Sequence, residues 1–249
     1  MKLCLMSDLH LEFHRDGGAS FCEEILDKTP TCDVIALAGD IGVLAYDYEQ
    51  MLYLISKLAN KSSKTIFIPG NHCFYGRFYE EGVKTLESLR EDFKYDSAVE
   101  ICHTPKWIEY KDYNILAGTL WFANLMPDFN TKSWLNDFNV KHIEQYIYTE
   151  NNAFIRELEL TDRKNIITIS HHSPTYKSVG QRFLNSPLNQ FFCNDMDDLL
   201  AEKEVILSCH GHLHDAVDYM LGSTRVVSSP AGYPREIPLD WKPKVIEID

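Results

Sequence analysis

The sequence predicts an α/β protein, and three observations carry that prediction. Short apolar runs rich in β-branched residues occupy 3–6, 34–38, 65–68, 166–169 and 205–208, with the length and composition of buried strands. Stretches with apolar residues at helical spacing lie over 48–58, 78–93 and 140–160. Beyond residue 214 the pattern changes to short strands at 216–221, 224–228 and 244–248, so the C-terminal part is sheet-rich.

Taken in order, each of the five runs ends on a polar motif: Asp8-Leu9-His10, Gly39-Asp40, Gly70-Asn71-His72, His171-His172 and Gly211-His212-Leu213-His214. In open α/β sheets, sites form beyond the carboxyl ends of strands, so these motifs are expected to converge although the chain separates them widely. Tyr79, Val83, Leu86 and Phe93 mark the apolar face of the second helix. Val140, Ile143, Ile147, Phe154 and Leu158 mark the third, which reads as interrupted at Asn151. Leu221-Gly222-Ser223 reads as a hairpin turn. Residues 119–139 fit no period, with aromatics interleaved among Asn and Asp. Two readings are open there: an irregular loop pinned to the core by Trp121, Phe129, Trp134 and Phe138, or a cap over the mouth of the site.

At 249 residues and 45% hydrophobic, the chain can bury a sizeable core. Because the motifs run from Asp8 to His214, any internal boundary would split the site, and a single domain over 1–249 is expected. A net charge of −13 disfavours a broad phosphate-binding surface for nucleic acid, since such affinity comes from Lys and Arg. Bound divalent cations would soften that argument. The seven cysteines are odd in number and scattered without a C-x-x-C pair, so reduced thiols are expected. A strand-like run begins within two residues of Met1 and no apolar stretch is long enough to span a bilayer, so a cytoplasmic protein with no membrane partner is expected.

Asp8 and Asp40 supply carboxylates, Asn71 an amide oxygen, and the histidines imidazoles. That mixture suits borderline divalent metals such as Mn, Fe, Co, Ni or Zn better than calcium. Taken singly, Asp8, Asp40 and Asn71 are equally read as turn or helix-cap residues, and each His as an ordinary buried or surface side chain. Five such coincidences at five strand ends favour a shared site.

The ordered set D-x-H, G-D, G-N-H, a strand-end His and G-H-x-H resembles the calcineurin-like metallophosphoesterases over essentially the whole chain. The runs Ser7-Asp8-Leu9-His10-Leu11-Glu12-Phe13, Gly70-Asn71-His72-Cys73-Phe74-Tyr75-Gly76 and Gly232-Tyr233-Pro234 are similar to a compact bacterial and phage branch. The resemblance implies a four-layer αββα sandwich and two divalent metal ions. Asp8, His10 and His214 would hold the first, Asn71, His171 and His212 the second, and Asp40 would bridge them. His72 would be the acid, with Asp8 assisting. His171 is favoured over the adjacent His172 by its place directly after the strand. Two departures stand out: Cys73 follows Gly-Asn-His where the family usually has Asp or Glu, and Ser229-Pro230-Ala231 replaces a usual Asn and Arg.

The expected function is metal-dependent hydrolysis of phosphomonoesters or phosphodiesters by a metal-activated hydroxide. Substrate partners would be a phosphorylated small molecule, a nucleotide or a phosphoprotein, with nucleic acid less favoured and oligomeric state open. The alternative is a metal-binding regulatory module or pseudoenzyme in which Cys73 has relaxed the catalytic geometry.

Overall fold

The chain opens with β1 (Lys2–Met6), α1 (Ala19–Lys28), β2 (Cys32–Ala38), α2 (Tyr48–Ala59), β3 (Ser62–Ile68), α3 (Tyr79–Asp92) and β4 (Val99–Ile101). A hairpin of β5 (Lys106–Tyr110) and β6 (Tyr113–Ala117) leads through α4 (Phe129–Trp134) and α5 (Ile143–Leu160) to β7 (Ile166–Ile169). Then come α6 (Asp197–Glu202), β8 (Leu207–His210), β9 (Val217–Leu221), β10 (Thr224–Ser228) and β11 (Lys244–Glu247). This computed structural model describes residues 1–123 and 129–248.

The strands form a five-stranded sheet in the order β11-β1-β2-β3-β4 and a six-stranded sheet in the order β5-β6-β7-β8-β10-β9. Strands β1 to β4 pair in parallel, as do β6, β7, β8 and β10, while β11 runs antiparallel to β1. Period-two alternation builds the layers. Leu3 and Leu5, with Val34, Ala36 and Ile66 of the same sheet, face the second sheet, where Ile167, Ile169 and Val227 meet them. Cys4 and Met6 face the opposite way, into a core with Phe21, Ile25, Leu54, Ile55 and Leu86 from α1, α2 and α3. On the far side, Phe154, Leu158 and Leu200 of α5 and α6 cover Leu116 and Ile166. The result is the four-layer αββα sandwich.

The five motif-bearing strands are divided between the sheets, β1, β2 and β3 in one and β7 and β8 in the other. Convergence therefore comes from stacking two sheets with their carboxyl ends at one edge, and a single open sheet is not involved. Backbone hydrogen bonds lock the strand ends together: Asp8 N–H donates to Gly39 O at 3.0 Å, His10 N–H to Asp40 O at 3.0 Å, and Gly211 N–H to His171 O at 3.0 Å.

Two expectations need correction. The third helix begins at Ile143 and runs unbroken through Asn151, whose buried amide donates to Trp121 O (3.3 Å) and Asn194 Oδ1 (2.8 Å). Tertiary partners thus remove its competition with the helix backbone. Residues 119–139 are not simply irregular: Trp121 and Phe122 sit in the core, and α4 and a 3-10 turn (Asn136–Asn139) follow. Phe138 packs on the core whereas Trp134 is exposed. Residues 124–128 of that segment, with the side chains of Phe129 and Asn130, lie outside the described residues. The last strand, β11, lies in the first sheet beside β1, apart from the hairpin of β9 and β10. All seven cysteines are buried and none is in a disulfide. Among the described residues, no helix is long and apolar enough to cross a membrane.

Candidate metal centre

The turns that follow the strands hold strained backbone. Asp8, His10, Asp40, His212 and His214 all have positive φ, between 48° and 69°, in the left-handed region that costs a side-chain-bearing residue about 1–2 kcal/mol. Such strain persists where surroundings enforce it. Here the carboxylates do so: Asp8 accepts from His212 N–H (3.0 Å to Oδ1), and Asp40 Oδ1 accepts from His72 N–H at 2.9 Å. Each carboxylate therefore clamps the turn of another motif.

Glycine is needed beside these groups for space. A Cβ at Gly70 would lie 2.2 Å from Asp40 Oδ1 and 2.6 Å from His171 Nε2, and one at Gly39 would lie 2.2 Å from His171 Nδ1. The G-N-H and G-D spacings follow from that close approach.

Three groups of side chains have potential ligand atoms within 4.8 Å of one another: Asp8, His10 and His214; His10, Asp40 and His72; and Asp40, His171 and His212. Asn71 joins the last, its Oδ1 2.9 Å from His171 Nε2. All eight residues expected from the sequence thus come together, and Asp40 lies between the outer groups. His172 does not join them. Its ring packs against His212 at 4.1 Å and near Trp121 at 5.2 Å, and neither ring nitrogen has a hydrogen-bond partner among the described residues.

The histidines are oriented by their outer nitrogens. Nδ1–H of His10 donates to Glu12 Oε1 (3.1 Å), that of His214 to Glu236 Oε2 (2.8 Å), and that of His171 to Ala38 O (3.0 Å). Every Nε2 is left facing inward, and His10 Nε2 and His214 Nε2 meet at 3.0 Å. With both rings neutral, two lone pairs point at each other, an arrangement that calls for a cation between them. His212 Nε2 is likewise buried without a partner. The donor set fits divalent metal.

Electrostatics agree. Burial works to raise Asp40, but His171 and His72 beside it hold its carboxyl well below the usual range. His171 is pushed down by burial and up more strongly by Asp40 and Asp8, to about 9. An imidazole in that field attracts positive charge, which a metal supplies in place of the proton. Burial lowers His212 well below its ordinary value, keeping it neutral and able to donate a lone pair.

Several contributing residues escaped the sequence reading. Glu12 Oε1 accepts from His72 Nδ1–H (3.0 Å) as well as from His10. Asn71 Nδ2 donates to Asp137 Oδ1 (2.8 Å) and to Tyr75 OH (2.8 Å), which turns its Oδ1 toward His171. Glu12 stands two residues past His10 and Glu236 two past Pro234, so proximity to a motif was the available signal. Asp137 offered none beyond its place among aromatics. Cys73 is buried in the core, and the carboxylate that meets the adjacent His72 is that of Glu12.

The cleft over these groups has a volume of about 270 Å³ and is bordered by Trp134, Asp137, Arg182, Phe192 and Tyr233. Arg182 is the one Lys or Arg among its described lining residues.

A model of the calcineurin-like phosphoesterases matches residues 1–216. The chain belongs to the calcineurin-like phosphoesterase family. Membership and the clustered donors together support metal-dependent phosphoesterase activity in general. Among solved structures, phosphopantetheinyl hydrolase from Mycobacterium tuberculosis superposes with a TM-score of 0.67 at 17% identity, over 100% of this chain and 96% of that one. The protein TT1561 of Thermus thermophilus gives 0.54 at 15% identity, over 92% and 88%. A purple acid phosphatase from yellow lupin seeds gives 0.54 at 14% identity, over 100% of this chain and 46% of its own. At these identities the likeness is one of fold. No curated protein sequence matches the chain.

Proposed function

We propose that this chain is a dinuclear metallophosphoesterase acting on small phosphate esters. Asp8, His10 and His214 would hold one ion, Asn71, His171 and His212 the other, and Asp40 both. The observation that carries this reading is the set of inward-facing Nε2 atoms, two of them 3.0 Å apart with their Nδ1 positions committed to carboxylates. Bound there, divalent ions supply Lewis acidity and make water a competent nucleophile at neutral pH.

The chain's own groups do the rest. His72 is fixed by Glu12 through Nδ1, leaving Nε2, 3.5 Å from Tyr233 OH, to protonate a departing alkoxide. Burial lowers its basicity and the carboxylates of Asp40 and Glu12 raise it by more; of these two, Glu12 stands outside the proposed metal donors. Arg182 offers a cation to the phosphate at the rim. Residues 134–137, with Trp134 exposed above the cleft, act as the cap over the site. A cleft of this volume with a single bordering Arg suits a phosphorylated small molecule or nucleotide better than a nucleic-acid strand. A cytoplasmic setting with no membrane partner belongs to the same reading.

The test is turnover of p-nitrophenyl phosphate and bis(p-nitrophenyl) phosphate by protein loaded with Mn, Fe, Co, Ni or Zn, alongside chelated protein. Metal-dependent hydrolysis of either class is expected, with Mn effective. Binding of metal without hydrolysis of any ester would instead favour a regulatory module.

A further inference from the structure

The chain between the strand-end His171 and His212 carries a second space. Residues 176–192 form three short 3-10 turns, Tyr176–Ser178, Gln181–Phe183 and Pro187–Phe191. Between these turns and the loop after β8 lies a recess of about 140 Å³, lined by Val179, Phe183, Leu188, Phe192 and Leu213 with Asp215 at its side. Phe183, Phe192, His212 and Leu213 also line the metal cleft, so the recess adjoins it. The Phe192 ring stacks on His212 with centroids 4.7 Å apart, and apolar surface thus begins directly beside a candidate ligand.

Packing does not account for this surface. Phe183 is 47% exposed although it lines the recess. Asp215 Oδ2 is buried without a hydrogen-bond partner, although its Oδ1 lies 3.7 Å from Arg182. Gly180 makes room for that carboxylate, since a Cβ there would lie 2.1 Å from Oδ2. The Arg182 guanidinium rests 4.7 Å over the Phe183 ring and borders the cleft as well. A cation for phosphate, an apolar recess and an unsatisfied acceptor therefore occur side by side.

We propose that this recess is the leaving-group subsite, selecting phosphate esters whose alcohol carries a compact apolar group the size of a six-membered ring. A cavity of roughly 150 Å³ lined by apolar side chains holds benzene, which sets the scale. The inference rests on the phosphoesterase reading above, and its test separates the two.

On manganese-loaded protein, ethyl, cyclohexylmethyl and benzyl phosphates are compared for kcat/KM, and methyl- and benzylphosphonate for binding by calorimetry. Phosphonates are not hydrolysed, so their Kd ratio reports the recess without the chemistry. The ring-bearing member should be favoured by about tenfold or more in both ratios. Leu188→Trp, which fills the recess, should bring both ratios close to one, with melting temperature and metal content as checks on folding. Val179→Phe serves if Leu188→Trp does not fold. Wild-type ratios near one, or ratios unchanged in a folded filling variant, overturn the subsite. A strong phosphonate preference without hydrolysis of any ester supports the recess and overturns the phosphoesterase reading.

Discussion

The carboxylate of Glu12 lies 3.0 Å from Nδ1 of His72, a residue sixty positions further along the chain. The same oxygen accepts from His10 Nδ1–H, so one side chain supports both a proposed metal ligand and the proposed acid. Glu12→Gln keeps an acceptor but removes the charge. Metal affinity should fall by about 10–100-fold, as for other groups that orient ligating histidines. Saturating metal should restore turnover of p-nitrophenyl phosphate but leave alkyl phosphate turnover low, because His72 has lost its anionic partner. Equal recovery on both esters would show that Glu12 serves the metal alone.

His72→Ala addresses the acid directly. Proton donation matters most for a poor leaving group, so kcat/KM should fall further on alkyl or nucleoside phosphates than on nitrophenyl esters, by an added factor on the order of 10²–10⁴. Metal content should stay near wild type. A leaving-group series run on both proteins checks this; parallel losses across the series would assign His72 to phosphate positioning.

Asp40 stands in two of the three donor groups. Asp40→Ala should therefore cost more metal per chain than His214→Ala and reduce hydrolysis to background. Elemental analysis after gel filtration decides the point, and near-normal occupancy with retained turnover in Asp40→Ala would falsify the bridging assignment.

Glu150, on the buried face of α5, has an Oε2 with no hydrogen-bond partner among the described residues, and burial raises its carboxyl from 4.5 to about 7. Between those values the folded chain binds more protons at this site than the unfolded chain, so stability falls as pH rises through the window. Glu150→Gln should raise the melting temperature at pH 8 and have little effect near pH 4.5. The gain corresponds to about 1–3 kcal/mol, allowing for an amide with no better partner than the acid had. Thermal unfolding at the two pH values tests the sign.

Much of the fold could be read locally. Strands β1, β2, β3, β7 and β8 are buried on both faces along most of their length by two sheets and helices, and that shows as short apolar or β-branched runs without a clear alternation. The helix at Tyr48–Ala59 shows its 3.6-residue period just as directly. By contrast, β4 is too short, at three residues, to declare a period, and the turns of 176–192 have none. Asn151 misled for the opposite reason: its local preference was to interrupt a helix, and partners at Trp121 and Asn194 overrode it.

The sequence by itself determined the α/β class and which polar side chains stand at strand ends, because side-chain alternation, glycine-dependent turns and donor chemistry are properties of neighbouring residues. Only the tertiary structure decided that two separate sheets bring those ends together, that His171 faces inward while His172 packs against His212, and that Glu12, Asp137 and Glu236 orient the inner residues. It also decided that an apolar recess adjoins the cleft. Each of those is a distance between residues far apart in the chain, set by how layers stack and which face of a turn is left open, and no local pattern encodes it.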